Sequence, residues 1–266
     1  MKRIFRAAIC ISAFLAVLAS ATASAESVFD GTWKIDLKSM KFDGKPMVLA
    51  VRDVMYQCKS CPIKAVFKSD GSDQRVIGSP YADTFAAHVV DKISIETVAK
   101  KSGKEVAWAK LTASADGNTL TMETRNTSPG ATPSTSTTTF KRVAKDPSGT
   151  HVVAGSWKLA KFDNRSDNAL TVSYKIYKDN INLNTGAGFS YNAKTNGAEA
   201  VAKGDLGING IAVKLLDQNT LEETARHNGS VVSITKTTVD ATGKSATVEW
   251  IDKVNEASGS YVMTKQ

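Results

Sequence analysis

Residues 29–35 read Phe29-Asp30-Gly31-Thr32-Trp33-Lys34-Ile35, and the core of that stretch returns as Gly155-Ser156-Trp157-Lys158-Leu159. Further marks repeat in the same order. Lys68-Ser69-Asp70-Gly71 matches Lys194-Thr195-Asn196-Gly197, Gly78 matches Gly204, Gly103 matches Gly229, and Asp116-Gly117 matches Thr242-Gly243. The offsets stay between 124 and 127, and so many ordered matches mark an internal duplication. The period is too long for a solenoid repeat and has the size of a small domain. Between the copies, Ala144-Lys145-Asp146-Pro147-Ser148-Gly149-Thr150 is polar and carries Pro and Gly, the composition of a linker. The expected organisation is therefore a first domain over 27–143, a linker over 144–152 and a second domain over 153–266.

Each copy alternates apolar and polar residues with period two. Leu170, Val172, Tyr174 and Ile176 interleave with Thr171, Ser173 and Lys175, and Ala246-Thr247-Val248-Glu249-Trp250-Ile251 is another such run. Copy one shows the pattern in Ile93-Ser94-Ile95-Glu96-Thr97-Val98 and Thr119-Leu120-Thr121-Met122-Glu123-Thr124. This is the strand signal. Asp70-Gly71, Asp116-Gly117, Asn196-Gly197 and Asn228-Gly229 supply the positive φ of tight hairpins. No helical periodicity is found after residue 25. The fold class expected is all-β: two tandem antiparallel barrel-like domains of about eight to ten strands each.

The Gly-x-Trp opening of each meander resembles the first strand of calycins, the lipocalin and fatty-acid-binding-protein group. The resemblance rests on one short motif per copy and the strand count. The Thr-Asp-Tyr turn of lipocalins and the helical lid of fatty-acid-binding proteins are missing. The opening, the Lys-x-Asp-Gly turn and the final strand also resemble duplicated secreted bacterial proteins without an assigned activity. The calycin resemblance implies that Trp33 and Trp157 close barrel floors, each under a cation from a last strand. Within each copy that cation would be Lys141 or Arg142 for Trp33 and Lys265 for Trp157. Plain core packing is the competing role for both Trp.

The chain opens with Lys2, Arg3 and Arg6, an apolar run from Ala7 to Leu18, and Ala23-Ser24-Ala25 before Glu26. These are the three parts of a secretory signal, with an apolar run too short to span a bilayer. The reading is cleavage after Ala25 and a periplasmic or secreted protein without a membrane span. The formal charge of +8 falls to +5 without those three cations. The remaining cations are scattered singly, without a basic block or interleaved aromatics, which argues against a nucleic-acid partner.

Cys58-Lys59-Ser60-Cys61-Pro62 holds both cysteines beyond residue 25. Adding 126 reaches Asn184 and Ala187, turn residues of copy two, so the pair is expected at a turn between strands over 51–57 and 63–67. Three readings stay open. An oxidising compartment and an even count favour a structural disulfide. A redox pair would want a helix N-terminus after Pro62, and none is predicted. A metal would need more ligands, and His88, His151 and His227 are isolated in sequence. His88 reads as a core residue of an apolar strand, His151 and His227 as solvated. No nucleophile elbow or phosphate loop occurs. Adjacent Glu222 and Glu223 face opposite ways on a strand and do not form an acid pair. No catalytic residue and no cofactor is assigned. The leading function is a non-enzymatic binding protein for a small apolar or amphipathic ligand. The alternatives are a structural or interaction module of the cell envelope, and a thiol redox or metal protein centred on Cys58 and Cys61.

Overall fold

The computed structural model describes residues 26–127 and 132–266; the leader over 1–25, with its cleavage site, lies outside the described residues. Strands follow one another with one turn of 3-10 helix, Asp167–Leu170, and no α-helix among the described residues. The first ten are β1 (Gly31–Asp43), β2 (Met47–Arg52), β3 (Met55–Cys58), β4 (Phe67–Lys68), β5 (Gln74–Arg75), β6 (Thr84–Val89), β7 (Ser94–Lys101), β8 (Lys104–Ala113), β9 (Thr119–Asn126) and β10 (Ser134–Lys145). The second ten are β11 (Gly155–Arg165), β12 (Thr171–Tyr177), β13 (Asn180–Thr185), β14 (Ser190–Lys194), β15 (Asn196–Lys203), β16 (Gly210–Leu215), β17 (Thr220–His227), β18 (Ser230–Val239), β19 (Ser245–Asp252) and β20 (Ala257–Lys265).

The all-β class and the two antiparallel barrel-like domains expected from the sequence are present, each with ten strands. Their membership follows a different line from the repeat. The first barrel runs β4-β3-β2-β11-β10-β9-β8-β7-β6-β5, and a bridge from Asp70, just past β4, to His88 of β6 joins one end of that order to the other. The second is a closed ring of β1 with β12 to β20. The opening strands of the two copies are thus exchanged. β1 leaves its own repeat and pairs with β12 and β20; β11 pairs with β10 and β2.

Local pairing accounts for the exchange. Within the segment 144–152, β10 runs to Lys145 and turns follow, with Gly149 N donating to Asp146 O and Ala154 N to His151 O before β11 begins at Gly155. That short connection makes β10 and β11 an antiparallel hairpin, and neighbours in sequence close with the smallest entropy cost. β11 thereby fills the slot beside β10, and β1 fills the equivalent slot beside β20.

Each barrel has its own core. Trp157, Leu49, Ile95, Leu111, Leu120 and Val153 pack in the first, and Phe29, Trp33, Ile181, Val213, Leu221 and Met263 in the second. The two Trp sit in equivalent places and are fully buried. Trp33 Nε1 donates to Phe29 O at 2.8 Å and Trp157 Nε1 to Val153 O at 2.9 Å. The expected cations are present, but their partners are exchanged with the strands. Arg142 lies over Trp157 at 3.9 Å from the ring centre, and Lys265 over Trp33 at 5.4 Å. Lys141 is exposed and points away.

Candidate functional site

Pairing between β11 and β2 covers only Gly155–Trp157 against Leu49–Met47. Beyond that point Gly44, Lys45 and Pro46 carry the chain across to β1 in the other barrel, so among the described residues β11 continues without a paired strand on that side. The opening left in the barrel wall is a cleft of about 760 Å³, inside the range of small-molecule sites. Met47, Phe140, Trp157 and Leu159 form its apolar floor on the first barrel; Phe42, Trp250 and Ala257 close it from the second.

The second-barrel wall depends on a glycine. Gly259 stands between Phe42 of β1 and Trp250 of β19 in the strand register. The two rings lie 5.9 Å apart beside it. A Cβ on Gly259 would come within 2.5 Å of the Trp250 ring and 2.3 Å of Lys41 O. The missing side chain is what lets the aromatics settle against the strand, a known use of glycine within sheets.

Cys58 and Cys61 form the expected disulfide, with Cα atoms 5.4 Å apart. Cys58 ends β3 and packs in the core, while Lys59-Ser60-Cys61-Pro62 forms one lip of the cleft. The turn is clamped to β2: Val48 N donates to Ser60 Oγ at 2.9 Å and Lys59 N to Val48 O at 2.9 Å. The strand expected over 63–67 is reduced to Phe67–Lys68, because Lys64, Ala65 and Val66 are exposed and make no ladder. Lys45, Lys59 and Lys64 stand exposed on the rim. Lys45 pairs with Glu256, whose carboxyl is held below its ordinary range first by that hydrogen bond and then by the charges of Lys45 and Lys64.

The other residues noted in the sequence lie elsewhere. His88 is a correction: alternation turns Ala87 inward, and His88 is exposed opposite Glu96. His151 is also held more closely than expected, with Nε2 2.7 Å from Asp91 O. His227 is half-buried at the β17–β18 hairpin. Among the described residues, no three His, Cys, Asp or Glu side chains gather to hold a metal ion. No helix among them is long and apolar enough to cross a membrane. A smaller hollow of about 320 Å³ surrounds Arg142, but that guanidinium already donates to the carbonyls of Gly117, Val152 and Ala154.

Sequence reasoning missed the cleft because its two walls come from segments paired only after exchange. The signal it carried was Phe42 and Lys45-Pro46, an apolar-cationic stretch just past the Trp33 strand.

No family model and no curated protein matches the chain. Among solved structures, the vaccine antigen transferrin-binding protein B of Haemophilus parasuis Hp5, in a double-mutant form, is 11% identical, with a TM-score of 0.23. The alignment covers 85% of this chain and 44% of that one, so the chain spans less than half its length. Likeness at that level bears on neither fold nor function.

Proposed function

We propose that the chain is an exported binding protein that takes a small amphipathic ligand in the cleft between its barrels. The observation that carries this reading is the pairing of an apolar cleft of about 760 Å³ with a rim of exposed lysines. An apolar body would rest on Phe42, Trp250, Met47 and Phe140. An acidic head would turn toward Lys59 and Lys64, since Lys45 already faces Glu256. The leader with its Ala-Ser-Ala site supports export. The calycin resemblance agrees with a barrel that binds such molecules, although the cleft lies in a barrel wall and not in a barrel interior.

The test is titration of the full chain with dodecanoate and with dodecanol, read by tryptophan fluorescence. Dodecanoate is expected to bind saturably and more tightly than the alcohol. Trp250→Ala is expected to weaken it about tenfold, the loss of one large aromatic contact at a site. Equal binding of acid and alcohol would remove the role of the lysines, and absence of binding would overturn the reading.

A further inference from the structure

The second barrel contains a polar group that its fold does not require. Glu223 points inward from β17 between Leu221 and Ala225 and is only 8% exposed. Tyr191 of β14 donates its hydroxyl to Glu223 Oε1 at 2.5 Å. Tyr174 of β12 is buried in the same core, and Tyr261 of β20 packs against it. Thr237 of β18 is 1% exposed, and its hydroxyl meets hydrogen-bond geometry with no group although it faces Tyr174. Among the described residues, no hydrogen bond reaches the second oxygen of Glu223.

The duplicate barrel is an internal control. Strand register sets Leu49 where Tyr174 stands, each facing the glycine before its barrel's Trp. Counting back from the equivalent hairpins at Ser102-Gly103 and Asn228-Gly229 sets Thr97 where Glu223 stands. Leu111 answers Thr237, and Thr138 answers Tyr261. The same architecture therefore closes with Leu, Thr, Leu and Thr in these places. The acid and its tyrosines are an addition in one copy. Ten strands also enclose more width than the eight whose interior side chains just fill.

We propose that the second barrel holds a small-molecule site of its own, built by Glu223 with Tyr174, Tyr191 and Tyr261, for a ligand bearing an ammonium head group. A buried carboxylate demands a counter-charge, and among the described residues no side chain on the inward face supplies one. Lys265 is committed to Trp33 and the carbonyl of Val28 at the floor. Arg165, at the end of β11, acts on Tyr261, and no ion pair joins it to Glu223 among the described residues. An ammonium group would pair with the free oxygen of Glu223 and lie against tyrosine faces, whose negative quadrupoles attract a desolvated cation. The Thr237 hydroxyl would serve the polar end of such a ligand. Tyr261 is two residues from Gly259 along β20, so the cluster approaches the barrel end that borders the cleft. Burial lifts the Glu223 carboxyl to about 7, with the Tyr191 hydrogen bond opposing the rise, as fits an acid kept without its counter-ion.

Calorimetric titration of the full chain with choline and with its uncharged isostere 3,3-dimethylbutan-1-ol tests this. Choline is expected to bind saturably, to bind more tightly one pH unit above 7 than one below, and to exceed the isostere about tenfold. Glu223→Gln is expected to weaken choline by about the same factor while the thermal melt shows a folded protein. Tyr191→Phe, which removes the hydrogen bond that opposes the rise at Glu223, should move the pH dependence of binding upward. Trp250→Ala should leave choline affinity unchanged, which separates this site from the cleft. No saturable choline binding, equal binding of the isostere, or a Glu223→Gln protein that binds choline as before would each overturn the proposal.

Discussion

Arg142 stacks over Trp157 at 3.9 Å although the two belong to different copies of the repeat. Its guanidinium also donates to the carbonyls of Gly117, Val152 and Ala154, the last at 2.8 Å. Lys265 performs the lighter version of this task, 5.4 Å from Trp33 with one bond to Val28 O at 3.2 Å. Arg142→Ala should therefore cost about 3 kcal/mol, from lost charged hydrogen bonds and a cation–π contact, and Lys265→Ala about 1 kcal/mol. Urea unfolding of the two variants checks the order; equal losses would mean the stacked guanidinium adds nothing.

Exchange of β1 and β11 makes each barrel dependent on the other copy. A fragment over 166–266 lacks both opening strands, so nothing in it joins β12 to β20, and it is expected to remain unfolded or to associate through its bare edges. Joining residues 26–43 to it should restore a closed barrel, read by circular dichroism and size exclusion. A monomeric, cooperatively melting 166–266 fragment would show that β1 is dispensable.

The disulfide closes a very short loop, which chain entropy values at about 2 kcal/mol. Cys58→Ala with Cys61→Ala should lower stability by that order. It should also loosen the lip of the cleft, because Ser60 and Lys59 hold β2 through that turn. Dodecanoate affinity in the double variant measures the second effect; stability lost without any change in affinity would confine the bond to a structural role.

Glu223 makes the folded state depend on pH in a particular direction. Its folded value of about 7 stands above the ordinary 4.5, so the folded protein holds the proton more tightly than the unfolded chain. Stability from this group is full below about 4.5 and declines as pH rises to about 7, by about 3 kcal/mol. Glu223→Gln should remove that slope and melt higher than the parent above neutral pH. Carboxylates in turns, among them Asp70, Asp91, Asp116 and Asp240, act the other way. Hydrogen bonds from neighbouring hydroxyl and backbone groups depress them, and their contribution is lost as the pH falls through their folded values. A pH series of thermal melts on both proteins resolves the two limbs.

Gly259→Ala is expected to destabilise by about 1–3 kcal/mol, the usual cost of overpacking. The added carbon has no room between Lys41 O and the Trp250 ring. The same change should shift Trp250 fluorescence; an unaltered spectrum would mean the ring does not rest on that strand.

Much of this was legible in the chain. Asp116-Gly117 and Asn228-Gly229 named the β8–β9 and β17–β18 hairpins, whereas Asp70-Gly71 bridges to His88 and Asn196-Gly197 lies at the start of β15, with positive φ at all four glycines. Period-two patterning gave the strands because one face of each is buried. Membership of the barrels was not legible. Gly31-Thr32-Trp33-Lys34 and Gly155-Ser156-Trp157-Lys158 present nearly the same faces, so either strand suits either slot, and turn length decides. Glu223 did leave a signal, for Leu221 and Ala225 mark its face as inward. Its neighbour Glu222 drew attention to an acid pair instead, whereas Glu222 faces outward opposite Lys214 and Lys236. The aromatic row of Phe42, Gly259 and Trp250 joins residues more than two hundred positions apart, a distance over which local pattern carries no information.

The two seams differ in when they can form. As the chain emerges from its beginning, the first barrel has all its strands once Arg165 is out. The ring around Glu223 must wait for the final strand, since Trp33 pairs with Lys265 and Gln266 N donates to Thr32 O. Until then residues 35–43 of β1, whose register partners lie on β20 alone, stay unpartnered beside a finished neighbour. A chain halted or clipped before its last strand therefore carries a sticky leading segment, and the intact C-terminal strand is what hides it.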